Sequence, residues 1–145
     1  MVKDNTPNKG MKMEELLREY FLRSGYYVLR SVPFIYEGFD VTDIDVWLYG
    51  RPSSMSREVT IVDVKNKKTP QAIERIFWVH GLKSATKATN AVVATTDKRP
   101  AVKDFGKELN ILVLDGSFIG RLNKPDAVHL ERITEEQFFD KIKEY

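Results

Sequence analysis

Two short runs of strictly alternating character, joined by turn residues, constrain this chain more than any other feature. In DIDVWLY (residues 43–49), Ile44, Val46 and Leu48 fall on one side of an extended strand, and Asp43, Asp45, Trp47 and Tyr49 on the other. EVTIVDVK (58–65) sets Val59, Ile61, Asp63 and Lys65 on one face and Thr60, Val62 and Val64 on the opposite face. The intervening GRPSSMS (50–56) carries turn chemistry, so the two runs read as an antiparallel hairpin. With the loop centred near Ser54, residue 45 falls opposite residue 63. Side chains so opposed stand roughly 4.5–5.5 Å apart at Cβ.

Helices and further strands are predicted around this hairpin. Met13, Leu16, Leu17, Tyr20 and Phe21 recur at helical spacing between residues 11 and 24, and Gly25 supplies the stop. At about 100° per residue these five cluster in one direction. Glu14 then lies at the edge of the buried face, and Glu15 points into solvent. YYVLR (26–30) reads as a first strand, followed by a looser stretch with Pro33 and Gly38. Thr69 as N-cap and Pro70 at the first helical position open a helix that runs to Ala88 through Ile73, Ile76, Phe77, His80, Lys83, Ser84 and Lys87. AVVAT (91–95), a helix over 100–109 and ILVL (111–114) make a parallel crossover unit. Thr134 and Gln137 frame a capping box for a last helix through Lys143. The expectation is an α/β chain with a mixed central sheet flanked by helices, residues 1–10 a flexible lead-in and 11–145 a single domain.

Composition narrows the chemistry. Without cysteine, thiolate metal sites, cysteine nucleophiles and disulfide frameworks all drop out. No apolar run approaches the ~18 residues of a membrane span, and residues 1–5 show no secretory h-region, so a cytoplasmic, intracellular protein with no membrane partner is expected. Lys plus Arg number 23 against 21 Asp plus Glu, so nucleic-acid binding would have to come from a local patch. The opposed Asp45 and Asp63 repel unless a cation lies between them, and an oxygen-seeking ion such as Mg²⁺ is the natural neutraliser. Lys65, on the Asp63 face, is placed to stabilise a developing anion or orient a water, which together is equipment for phosphodiester hydrolysis. A plain Asp63–Lys65 ion pair accounts for the same pattern without catalysis.

A helical acid, an acid on one strand and Asp-x-Lys on the next, in that order, resemble the PD-(D/E)xK nuclease superfamily. MEELLREYFLRSGYYVLRS (13–31) is similar to the acid-bearing helix and Gly-Tyr strand start of archaeal Holliday-junction resolvases and Mrr-type restriction endonucleases. IDVWLYG (44–50), TIVDVKNKK (60–68) and AVVATTDKRPAVKDFGKELNILVLDG (91–116) resemble the acid strand, the (D/E)xK strand and the closing strand–helix–strand unit, so the likeness covers about residues 11–116. It implies the restriction-endonuclease-like fold with an αβββαβ core. Glu14, Asp45 and Asp63 would be ligands of Mg²⁺, or Mn²⁺ in its place, and Lys65 the catalytic lysine. The activity implied is a metal-dependent deoxyribonuclease, resolvase-like or restriction-like, acting as a homodimer on DNA, alone or as a subunit of a larger DNA-processing or defence system. The chain departs from the pattern in having Ile44 rather than proline before Asp45. Asp43 is then a second candidate acid, and Gln71 is likened to a glutamine that follows the lysine in some branches.

Lys65, Lys67 and Lys68, with Lys83 and Lys87 one helical turn apart, are the candidate phosphate contacts, extended at loop ends by Arg51, Arg57, Lys98 and Arg99. Trp47 and Trp78 read as core or interface residues, and the isolated His80 and His129 as structural. The rival expectations are a non-catalytic DNA-binding or assembly domain that retains the fold, and a plain α/β interaction domain.

Overall fold

The computed structural model describes residues 9–66, 71–124 and 135–143. In chain order the elements are α1 (Lys9–Arg23), β1 (Tyr27–Tyr36), β2 (Phe39–Ser53), β3 (Ser56–Lys65), α2 (Ala72–Thr86), β4 (Asn90–Thr95), α3 (Pro100–Glu108), β5 (Leu112–Leu114), α4 (Gly116–Leu122) and α5 (Glu135–Lys143). One five-stranded sheet runs in the order β1-β2-β3-β4-β5. The β1–β2 and β2–β3 pairs are antiparallel, and the β3–β4 and β4–β5 pairs are parallel. The chain is therefore α/β with a mixed sheet, as its pattern predicts.

Helix α1 buries Met13, Leu17 and Phe21, one turn apart, against the sheet, with Leu16 and Tyr20 partly covered beside them. Its end follows from Gly25, whose φ of 95° lets Tyr26 N–H return to the Phe21 carbonyl at 3.1 Å and close the helix. The helix starts at Lys9, so residues 9 and 10 of the expected lead-in belong to it; residues 1–8 lie outside the described residues.

The first hairpin is longer than its sequence suggests. β1 continues through Pro33 to Tyr36, and Glu37 and Gly38, with φ of 45° and 83°, form the two-residue turn into β2. A proline is tolerated there because β1 is an edge strand, with one side free of the ladder. The strict alternation expected for β2 also breaks. Val46 and Leu48 pack with α1, whereas Ile44 packs with Ile76 and Val79 of α2. Ser31, at φ 52°, lies between the pairs Arg30–Val46 and Val32–Ile44, so both strands leave the regular pleat at the level of Asp45.

Two cores result. Residues of α1 and α4 share one with Val62, Val92 and Ala94. Residues of α2 and α3 share the other with Ile61, Ala91 and Val93. The buried stripe of α2 is Ala72, Ile76, Val79 and Leu82, and Phe77, expected within it, is exposed. The helix begins after Gln71; Thr69 and Pro70, the expected cap, lie outside the described residues, as does Thr134 before α5. Helix α4 has no counterpart in the expected pattern. Its N-cap, Asp115, accepts the Phe118 N–H at 3.0 Å, and Gly116 is required because a Cβ there would run into the Thr96 carbonyl oxygen.

Truncation tests the core assignment. Leu17→Ala should cost about 3 kcal/mol in urea unfolding, the usual range for a fully buried leucine, while Met55→Ala at the exposed β2–β3 turn should change stability by less than about 0.5 kcal/mol.

Candidate functional site

β3 is the interior strand where the antiparallel and parallel halves of the sheet meet, and its C-terminal end collects the charged residues. The β2–β3 register reaches Val46 opposite Val62, so the next residues along are Asp45 and Asp63. Continued by one pair, this is the register that the hairpin pattern predicts, although the ladder itself ends at Val46 and Val62. Asp45 Oδ2 accepts the Val64 N–H at 2.7 Å where the ladder stops. On the other side of β3, Asp63 and Lys65 align with Val93 and Thr95 of β4. With β4 paired along this stretch and helices packed on the sheet, Asp63 is only 7% and Lys65 only 6% exposed.

Charge at such a depth needs neutralising. Asp63 is gripped through both oxygens by Arg75 of α2, Nε donating to Oδ2 at 3.0 Å and Nη2 to Oδ1. The pairing holds the Arg75 guanidinium more firmly protonated than usual. That guanidinium also stacks 4.2 Å from the centre of the Trp78 ring, one turn further along α2. Glu14 is met by Arg30 of β1, whose Nη2 donates to Glu14 Oε2 at 2.8 Å while Nη1 donates to Glu15 Oε2 at 2.8 Å. Glu15, with 44% of its side chain open against 20% for Glu14, faces solvent as the helical wheel suggests but is tethered there. Arg30 spans both acids, and Arg18 holds the other Glu15 oxygen.

Asp45 is the acid under most electrostatic stress. Burial pushes its carboxyl up to about 6; the Val64 N–H opposes this, the charges of Asp63 and Glu14 add to it, and Arg75 offsets it least. Glu14 and Asp63 thus both lie within electrostatic reach of Asp45. Even so, among the described residues no group of three acid or histidine side chains is gathered closely enough to hold a metal ion. Asp43, the alternative acid, is exposed on β2 opposite Pro33.

Lys65 opens into a cavity of about 380 Å³ lined by Gln71, Thr95, Thr96, Asp97 and Arg99. Asp97 clasps the Arg99 side chain, with Nη2 at 2.6 Å, and takes the Arg99 N–H at 2.9 Å, which holds its carboxyl below the ordinary range. A second cavity of about 240 Å³ lies between α1 and α4 and touches Lys12, Asn66, Thr96 and Asn123. The two openings flank the carboxyl ends of β3 and β4, the usual place for ligands in sheets of this kind.

The predicted lysines divide. Lys83 and Lys87 lie at the C-terminal end of α2, where Thr89 N–H bonds the Val59 carbonyl at 2.8 Å, at the opposite end of β3 from Lys65. From Arg75 to Lys83 is about 12 Å of helix. Lys67 and Lys68 lie outside the described residues, as does His129, and His80 is exposed. Trp47 packs in the α2 core. Arg30 and Arg75 were missed by sequence reasoning. Each meets its acid only through packing between elements, and neither belongs to a local motif.

No protein-family profile matches this chain, and no curated protein resembles it closely enough to serve as a relative.

The stress on Asp45 makes a pH-dependent prediction. Between the ordinary carboxylate value of 3.8 and about 6, the native state holds the Asp45 proton more tightly than the unfolded chain, so stability falls as pH rises through that window. Asp45→Asn keeps an oxygen for the Val64 N–H but cannot ionise. The variant should be more stable than wild type by about 1–3 kcal/mol at pH 8. The difference should close by pH 4, as read from urea unfolding at both values.

Proposed function

We propose that this chain is a metal-dependent DNA endonuclease of the restriction-endonuclease-like fold. The observation that carries the reading is the end of β3. Asp63 and Lys65 are buried there on one strand face, and Asp45 sits across the hairpin with its ionised form disfavoured. Buried catalytic groups are retained at such cost when they serve a reaction.

The donor set fits a hard divalent ion. Every candidate ligand is a carboxylate, Asp45 is repelled by both Asp63 and Glu14, and Asp63 already draws a cation, Arg75, onto both its oxygens. Asp45 and Asp63 would hold Mg²⁺ or Mn²⁺, with Glu14 completing the set. The ion would polarise a phosphoryl oxygen and acidify a water. Lys65 supplies a fixed positive charge to the phosphate as negative charge builds on it, from a position where water is largely excluded. Gln71, Thr96 and Arg99 line the way to that lysine and offer polar contacts to a nucleic-acid strand. A homodimer would present one such site to each strand of a duplex or junction.

One observation favours the second reading, a DNA-binding or assembly domain without catalysis. Arg75 and Arg30 already neutralise Asp63 and Glu14, so the acids are satisfied without metal.

Cleavage separates the two. Supercoiled, linear and branched DNA should be cut in Mg²⁺ or Mn²⁺. Lys65→Ala and Asp63→Ala should lower the rate by about 10²–10³-fold, with circular dichroism showing the fold retained. If no substrate is cut under either metal, the nuclease reading is dropped, and DNA affinity that weakens steeply with salt then supports the binding domain.

A further inference from the structure

The arginine on Asp63 is the feature that the proposed activity does not use. Arg75 stands in the first turn of α2 and its N–H is tied to the Gln71 carbonyl at 3.1 Å, so its backbone is fixed. Its side chain has two resting contacts, the Asp63 carboxylate and the face of Trp78. Asp63 is nearly sealed, whereas the Arg75 side chain keeps 25% of its surface open, enough to leave the acid without unfolding the helix. The guanidinium occupies both of the oxygens that a divalent cation would use, so the two cations compete for Asp63. A guanidinium released there still lies in a partly desolvated setting and requires an anion. Its planar fork matches the oxygens of a phosphate as well as those of a carboxylate.

Resting on the metal-dependent reading above, we propose that Arg75 is an exchangeable counter-ion. It occupies Asp63 in the metal-free protein, is displaced by the divalent cation, and then binds a phosphate of the DNA strand. Arg75 thereby couples the two ligands. Metal frees the residue that DNA needs, DNA holds that residue away from the acid that metal needs, and by linkage each raises the affinity of the other by the same factor. Trp78 reports the exchange, because the cation stacked on its ring leaves.

The test uses the whole chain carrying Trp47→Phe, which leaves Trp78 as its one tryptophan, and Lys65→Ala, which slows cleavage enough for binding to be read first. Mn²⁺ is titrated with and without a duplex oligonucleotide, by calorimetry and by Trp78 emission, in this background and with Arg75→Gln added. The parent should bind Mn²⁺ with a change in Trp78 emission, and duplex should tighten that binding at least fivefold. Arg75→Gln should bind Mn²⁺ alone at least tenfold more tightly, with no emission change and no further gain from duplex. Arg75→Lys, which keeps a charge but not the fork, should fall between the two and covers the case in which the glutamine variant fails to fold. Equal Mn²⁺ affinity in all variants with steady Trp78 emission overturns the exchange and leaves the metal site standing. Absence of Mn²⁺ binding in every variant overturns the metal reading itself, and the exchange with it.

Discussion

Burial of charge at the end of β3 is the constraint on which the rest of the site depends. An interior strand, paired on both edges and covered on both faces, is the natural place for valine and isoleucine, and β3 uses them through Val64. Asp63 and Lys65 break that pattern in the covered half of the strand. An uncompensated charge there would cost several kcal/mol, so neighbouring elements must answer it. Arg75 approaches from the α2 side. Arg30, from the edge strand, answers Glu14 on the α1 side. The layers are thus joined by ion pairs at one end of the sheet and by two apolar cores elsewhere.

Asp45 is where this compensation is weakest. It lies at the level where β1 and β2 leave the regular pleat, beyond the last β2–β3 pair, and its best contact is a neutral backbone N–H. A chain selected for stability alone has little reason to keep an ionisable group there. Retention of a strained acid next to a sealed lysine is the kind of local inconsistency that functional sites show. The arginines point the other way, since they make the metal-free arrangement self-sufficient. Both facts follow from the same geometry, Asp45 within electrostatic reach of both Asp63 and Glu14 near the carboxyl end of β3.

The surroundings are polar and open on both sides of the sheet. Thr96 borders both cavities, and the loop that carries it is pressed against Gly116 at the start of α4. Lys98 and Arg99 belong to this loop and so stand at the same end as Lys65. Lys83 and Lys87 stand at the other end. A strand running past the site would therefore meet the β4–α3 loop first, and the lysines of α2 only at a distance.

What could be read from sequence was whatever depends on local period. The two-residue repeat of β2 and β3 and the short turn between them set the register, and with it the opposition of Asp45 and Asp63 and the shared face of Asp63 and Lys65. The helical repeat of α1 likewise marked Met13, Leu17 and Phe21 as buried. Tertiary structure alone decided the rest. Ile44 joins the α2 core, at the level where Ser31 on the neighbouring strand takes a positive φ. Glu15, still 44% open to solvent, is tied down because Arg30 reaches it across 15 residues of chain. Asp63 acquired Arg75, 12 residues away, only when α2 packed on β3. Periodicity fixes where a side chain points. Which opposite charge it meets depends on how separate elements dock, and no repeat within either element encodes that.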